Sequence, residues 1–191
     1  TVKRGSRTLT LEASPQRDES GEYRLGAWVR DSMAGIGTMT FYDPQSGTFG
    51  ALGHGVTDVD TGKLLPLDHG SIMNASVKAV KKGEHGAPGE LKGDFDFARD
   101  SGTLYANTES GIFGKLSAQD AAVLGGKAYS IAARDEVKTG SATILATVNG
   151  NETKEYAIEI EKVYPASGAS RNLLLRVTDE ALLEKTGGVV Q

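Results

Sequence analysis

The chain contains no cysteine and only 5 prolines among 191 residues. Without cysteine there is no disulfide framework, no thiolate zinc or iron–sulfur site, and no cysteine nucleophile. The charge balance is nearly even, 21 basic against 25 acidic residues for a net −4, so no global field attracts nucleic acid or an anionic membrane. No apolar run approaches the roughly 20 residues of a membrane span. The opening TVKRGSRTLTLEASP has no apolar core of a signal peptide and reads as mid-chain sequence, as in a processed form. What the chain does have is glycine: 25 residues, about 13% against an average near 7%. There is no every-third-residue period, so the glycine points to many tight turns and bulges between short strands. Apolar residues at 38% and charged ones at 24% are globular values.

Period-two alternation predicts strands over 7–13, 23–31, 35–43 and 48–54, the last two joined by the turn Pro44-Gln45-Ser46-Gly47. Over 71–82 it puts Met73, Ala75, Val77 and Ala79 on one face, and over 90–99 Leu91, Gly93, Phe95 and Phe97. Shorter strands are expected at 111–116 and 127–133. Strands 142–148 and 153–163 read as a hairpin with a type I′ turn at Asn149-Gly150, Tyr156, Ile158 and Ile160 sharing a face. A last strand covers 172–178. Two helices are expected, 117–126 and 179–188, each with early acids and a closing Gly-Gly. Strands at 8–12-residue spacing indicate an all-β sandwich or barrel.

The histidines, His54, His69 and His85, fit no metal-ligand spacing. His69 and His85 lie among turn residues. His54 ends a strand between Gly53 and Gly55, where small neighbours leave an imidazole reachable; a strand-end histidine packed in a turn is the plainer alternative. Asp58-Val59-Asp60-Thr61-Gly62-Lys63 is neither a calcium loop, since His69 stands where the closing glutamate belongs, nor a phosphate loop, since Leu64 follows the Gly-Lys. Turn capping is its local reading. Asp94, Asp96 and Asp100 lack the calcium-loop glycine. Asp100-Ser101-Gly102 matches only part of a trypsin-like serine motif, and Ser110 and Ser141 are turn serines. Asp179, between LLLRVT and EALLEK, reads locally as a helix N-cap. Lys78, Lys81 and Lys82 have no aromatic partners and read as a solvated face rather than a nucleic-acid groove.

Longer strings carry more. YRLGAWVRDSMAGIGTMTFYDPQSGTFGALGHGVTDVDTGK (23–63), GIFG (111–114) and RVTDEALLEKTGGVVQ (176–191) resemble the SpoIVB family of sporulation serine peptidases, over about residues 21–191. The first twenty residues are similar to the tail of the PDZ domain that precedes the peptidase in that family. The resemblance implies a chymotrypsin-like double β-barrel, similar to PA-clan peptidases, and a Ser-His-Asp triad with no metal or organic cofactor. It assigns His54 as general base and Asp179 as its partner, with Asp58 or Asp60 as alternative acids. In the family, Gly-Gly-x-Val-Gln is followed by Gly-Met-Ser-Gly-Ser-Pro, whose first serine is the nucleophile. The sequence here reaches Gln191, which places that serine three residues further on, with the closing strands of the second barrel beyond it. The resemblance further implies export from the forespore into the space between two membranes, and cleavage of the protein itself and of a regulator of a membrane protease. A peptide- or protein-binding module without chemistry, and a metal hydrolase using His54 with Asp58 or Asp60, are the rival readings.

Overall fold

The computed structural model describes residues 1–26, 33–164 and 172–188. The chain divides into two units, Thr1–Gly35 and Ile36–Gln191. In the first, β1 (Val2–Arg4) pairs with β2 (Arg7–Leu9), and β3 (Gln16–Arg17) with β4 (Tyr23–Arg24). Asp18 builds the second turn: its carboxylate accepts from the N–H groups of Ser20 and Glu22 at 2.9 and 3.0 Å and pairs with Arg24. The hydrogen bond from the Ser20 hydroxyl does most to hold this carboxyl below its ordinary value. The expected strand 7–13 is cut to three residues, because β1 offers only three partners. Of 23–31, Tyr23–Arg24 forms a strand, while residues 27–31 lie outside those described.

The second unit carries β5 (Met39–Asp43), β6 (Thr48–Ala51), β7 (Gly70–Ile72), β8 (Ala75–Lys81), β9 (Glu90–Phe95), β10 (Gly102–Thr108) and β11 (Gly111–Leu116). Then follow α1 (Ala118–Val123), β12 (Gly140–Thr147), β13 (Thr153–Val163), β14 (Leu173–Val177) and α2 (Glu180–Thr186). The pairing is antiparallel throughout, in sheets β5-β6-β11-β10-β7, β8-β9 and β12-β13-β14. The class is all-β as expected. Among the described residues no sheet closes into a barrel.

The five-stranded sheet follows from its turns and its glycines. Asp43 closes the β5–β6 turn by accepting from the N–H of Gln45 and the hydroxyl of Ser46, with Gly47 at φ +70°. Phe49, fully buried, faces Gly114 across the β6–β11 pair, and a Cβ on Gly114 would fall 2.6 Å from its ring. Phe41 lies likewise over its partner Gly50. Burying Phe49 is worth roughly 1.5–3 kcal/mol.

Three expectations need correction, and one strand was not expected. The face Met73, Ala75, Val77, Ala79 does not persist, because the ladder slips between Val77 and Ala79 and the bulged strand turns Val80 inward while Ala79 is exposed. The Asn149-Gly150 turn is not a two-residue hairpin: the last pair is Thr147 with Thr153, and Gly150 instead exchanges two 2.9 Å backbone bonds with Val77 of β8. No strand forms over 127–133, where Ile131 is 96% exposed. Residues 102–108, which carried no strand expectation, form β10, the inner neighbour of β11.

Both helices are anchored. At α1, Ser117 caps the N-terminus, and Asp120 (8% exposed) takes a forked pair of bonds from Arg99, which leads into β10. Helix α2 starts at Asp179, whose N–H bonds Ala157 O in β13. It ends at Gly187 (φ +73°), where a Cβ would lie 2.2 Å from Gly83 O. The Gly83 N–H in turn donates to Thr186 O at 2.8 Å, and Thr186 is fully buried.

Two measurements test these anchors. The bonds from Arg99, then from Ser117, hold the Asp120 carboxyl below its ordinary value of 3.8. A depressed folded value means stability that is present well above pH 3.8 and lost as pH falls through the lower folded value. Asp120→Asn is therefore expected to melt below wild type at pH 7, with the gap closing on acidification below 3.8; a gap that does not change with pH refutes the pair's role. Gly187→Ala meets both a left-handed backbone and the Gly83 carbonyl. It is expected to cost at least about 1–2 kcal/mol in urea unfolding.

Candidate active site

His54 sits just past the end of β6, and the backbone that delivers it is unusual. Leu52 has φ +72°, and the Gly53 N–H donates to Ala51 O at 3.1 Å, two residues back. This is a γ-turn with a positive-φ centre, a rare and strained form. For a leucine it costs on the order of 1 kcal/mol. The Leu52 N–H is held by Thr38 O at 3.0 Å, and Gly53 at φ +84° completes the reversal. The chain thus leaves the sheet abruptly and presents the next side chain, His54, to solvent. Gly55 follows because nothing larger fits: a Cβ there would lie 2.4 Å from Thr108 O and 2.2 Å from the Leu64 side chain.

Beyond Gly55 the chain makes a narrow loop. Leu65 N–H bonds Val56 O at 3.0 Å, Thr57 bridges Leu64, and Asp58 N–H bonds Lys63 O at 2.8 Å. Asp58 Oδ1 accepts from the N–H and the hydroxyl of Thr61, both at 2.9 Å. The turn-capping reading of this carboxylate therefore describes what it does, while Asp60 is exposed at the turn. An open groove of about 570 Å³ lies between the loop and the β10–β11 turn, lined by His54, Gly55, Thr57, Lys63, Leu64 and Glu109.

The His54 ring makes one hydrogen bond among the described residues, Nδ1 to Gly55 O at 3.0 Å. With the proton on Nδ1 the ring donates to that carbonyl, and Nε2 carries a free lone pair. Asp179 lies at the β14–α2 junction, half-buried. Its Oδ1 accepts from Leu182 N–H at 3.0 Å as an N-cap, and Oδ2 makes no hydrogen bond among the described residues. The structure does not join His54 and Asp179 by a hydrogen bond. Each stands where a strand ends, His54 after β6 in the five-stranded sheet and Asp179 after β14 in the three-stranded one.

The other candidates fall outside the groove. His69 is exposed with Nδ1 3.1 Å from the Asp68 carboxylate, and His85 is exposed in a turn. Ser101 is buried at the start of β10. No group of three or more His, Asp or Glu side chains suited to a metal ion occurs among the described residues. Glu109 was missed, since only the unforeseen β10–β11 turn brings it beside His54. The alternation in GTLYANT (102–108) was the available signal.

The family model described as SpoIVB peptidase S55 matches residues 21–191. No curated protein and no solved structure matches the chain. The close fit at Gly55 gives a direct test. Gly55→Ala must displace either the loop or the Thr108 carbonyl, and is expected to cost about 1–3 kcal/mol by urea midpoint. An unchanged midpoint would mean the loop does not rest on β10.

Proposed function

The chain belongs to the SpoIVB peptidase S55 family of sporulation serine peptidases, and we propose that His54 and Asp179 are the base and acid of its catalytic triad. The observation that carries this is the placement of His54: a strained turn and a fitted glycine hold an exposed imidazole at the mouth of an open groove. The nucleophile in this reading is a serine three residues beyond Gln191. Its hydroxyl oxygen attacks the scissile carbonyl while His54 Nε2 takes the proton. The imidazolium then returns that proton to the leaving amine. A water, deprotonated by the same nitrogen, releases the acyl group and regenerates the serine.

Asp179 accepts a hydrogen bond from the Nδ1–H group through Oδ2, since Oδ1 is engaged with Leu182. To do so it takes the place of the Gly55 carbonyl, the present partner of Nδ1. Asp58 is the weaker choice of acid because its Oδ1 already holds the Thr61 turn. The mature domain is a chymotrypsin-like double β-barrel, one barrel grown from the five-stranded sheet and the other from β12-β13-β14. Support for the second comes from β14, an edge strand whose Leu173, Leu174 and Leu175 are all more than two-fifths exposed. Residues 1–20 are the end of a PDZ domain. The protein works outside the cytoplasm, between the forespore and mother-cell membranes, and cuts itself and a regulator of a membrane protease. No described helix is long and apolar enough to cross a membrane.

The test uses a chain extended through the serine loop and labelled by a fluorophosphonate. Labelling is expected in wild type and lost in His54→Ala. Asp179→Asn should slow it by about 10,000-fold. Because asparagine caps a helix as well as aspartate does, that variant should melt as wild type. An extended wild type that takes no label would overturn the peptidase reading in favour of a binding module.

A further inference from the structure

We infer that Asn107 is a positioning residue for His54, acting through the backbone of Val56. The inference rests on the peptidase reading of His54. Asn107 lies in β10 opposite Ile112, on a strand whose other edge is only partly covered: β7 pairs with Gly102, Thr103 and Leu104 and goes no further. Beyond Leu104 the Asn107 side chain binds the 56–65 loop as a strand partner would. Its Oδ1 accepts from Val56 N–H at 2.9 Å, and its Nδ2 donates to Val56 O at 2.8 Å. One amide thereby takes both polar groups of one residue, the exchange that two peptide groups make in an antiparallel ladder. The second Nδ2 proton goes to Leu65 O at 2.9 Å, on the returning leg of the loop.

This set of partners defines the side chain required. The site needs one acceptor and two donors within one planar group, which is what a carboxamide supplies and a carboxylate or a hydroxyl does not. Asparagine is otherwise a poor strand residue. The bonds cross 51 and 42 residues of sequence, so they report tertiary placement rather than local turn chemistry.

The consequence falls on His54, two residues before Val56. On its N-terminal side the chain is held at Leu52 by Thr38 O. On its C-terminal side Asn107 holds Val56. Between these points only Gly53, His54 and Gly55 remain, and Gly55 rests on the Thr108 carbonyl beside Asn107. Among the described residues the imidazole has one hydrogen bond, to its own neighbour, so its position follows from this short tethered span. Displacements of about 1 Å at such a group can cost on the order of 100-fold in rate.

The extended chain carries the test, with fluorophosphonate labelling split into reversible binding and the covalent rate. Asn107→Leu, of similar shape and without hydrogen bonds, is expected to lower the covalent rate at least tenfold while reversible binding and the circular dichroism spectrum stay near wild type. Asn107→Asp keeps the bond to Val56 N–H but sets a carboxylate against two carbonyls. Its rate relative to wild type is expected to fall as pH rises through the titration of that carboxyl. If Asn107→Leu does not fold, the pH dependence of Asn107→Asp decides. Folded variants with wild-type covalent rates, or an Asn107→Asp ratio flat in pH, overturn the positioning role alone. A wild type that takes no label overturns the peptidase reading and this inference with it.

Discussion

The pairing of β6 with β11, sealed by Phe49 against Gly114, is the constraint on which the His54 end of the molecule depends. A full-size aromatic is buried there only because its cross-strand partner has no side chain. That contact fixes the register of β6, and the register fixes where β6 stops. Ala51 pairs with Ile112, and the chain then reverses at Leu52. A one-residue slip would turn Phe49 to the opposite face and carry the reversal, the histidine and the loop with it. The glycine excess acquires meaning in these terms. Gly50 and Gly114 make room for rings, Gly55 for a carbonyl, and Gly53 and Gly187 for backbone that other residues resist.

Much of this was legible in the chain, wherever the signal was local. The β5–β6 hairpin, β11, the alternation of Tyr156, Ile158 and Ile160, and both caps of α2 follow from residues within a few positions of each other. What escaped was decided by distant partners. Asn149-Gly150 has the composition of a tight turn, yet Gly150 is taken up by Val77, some seventy residues earlier, and the turn opens to admit it. The slip at Lys78 serves the fit of β8 to β9 and leaves no mark on the alternation of β8 itself. β10 begins among polar and small residues because its burial comes from two neighbours. Residues 127–133 include the strand formers Tyr129 and Ile131 but find no strand beside them.

The site divides in the same way. His54 and Asp179 are proposed from long strings similar to a family, whereas local rules give each an ordinary role. For Asp179 that role is real, since it caps α2. The support for His54 was not legible at all, because Leu52 is an ordinary residue until its φ is known and Glu109 reaches the groove only through a turn between two strands. A helix cap can also hold an acid for catalysis, because capping uses one carboxylate oxygen and leaves the other.

The seat of Gly187 on Gly83 also orders events in time. Gly83 and Thr186 are bonded across 103 positions of sequence, counting 186 minus 83. Closing so long a loop costs about 4 kcal/mol of chain entropy, and contacts of that span slow folding. Helix α2, with Asp179 at its head, takes its seat on Gly83, in the segment that joins β8 to β9. The strands of the sheet that carries His54 all precede α2 in the chain, so during synthesis they emerge before Asp179 does. In the proposed triad, base and acid can meet only once the chain has passed through both, since His54 and Asp179 stand 125 positions apart, counting 179 minus 54.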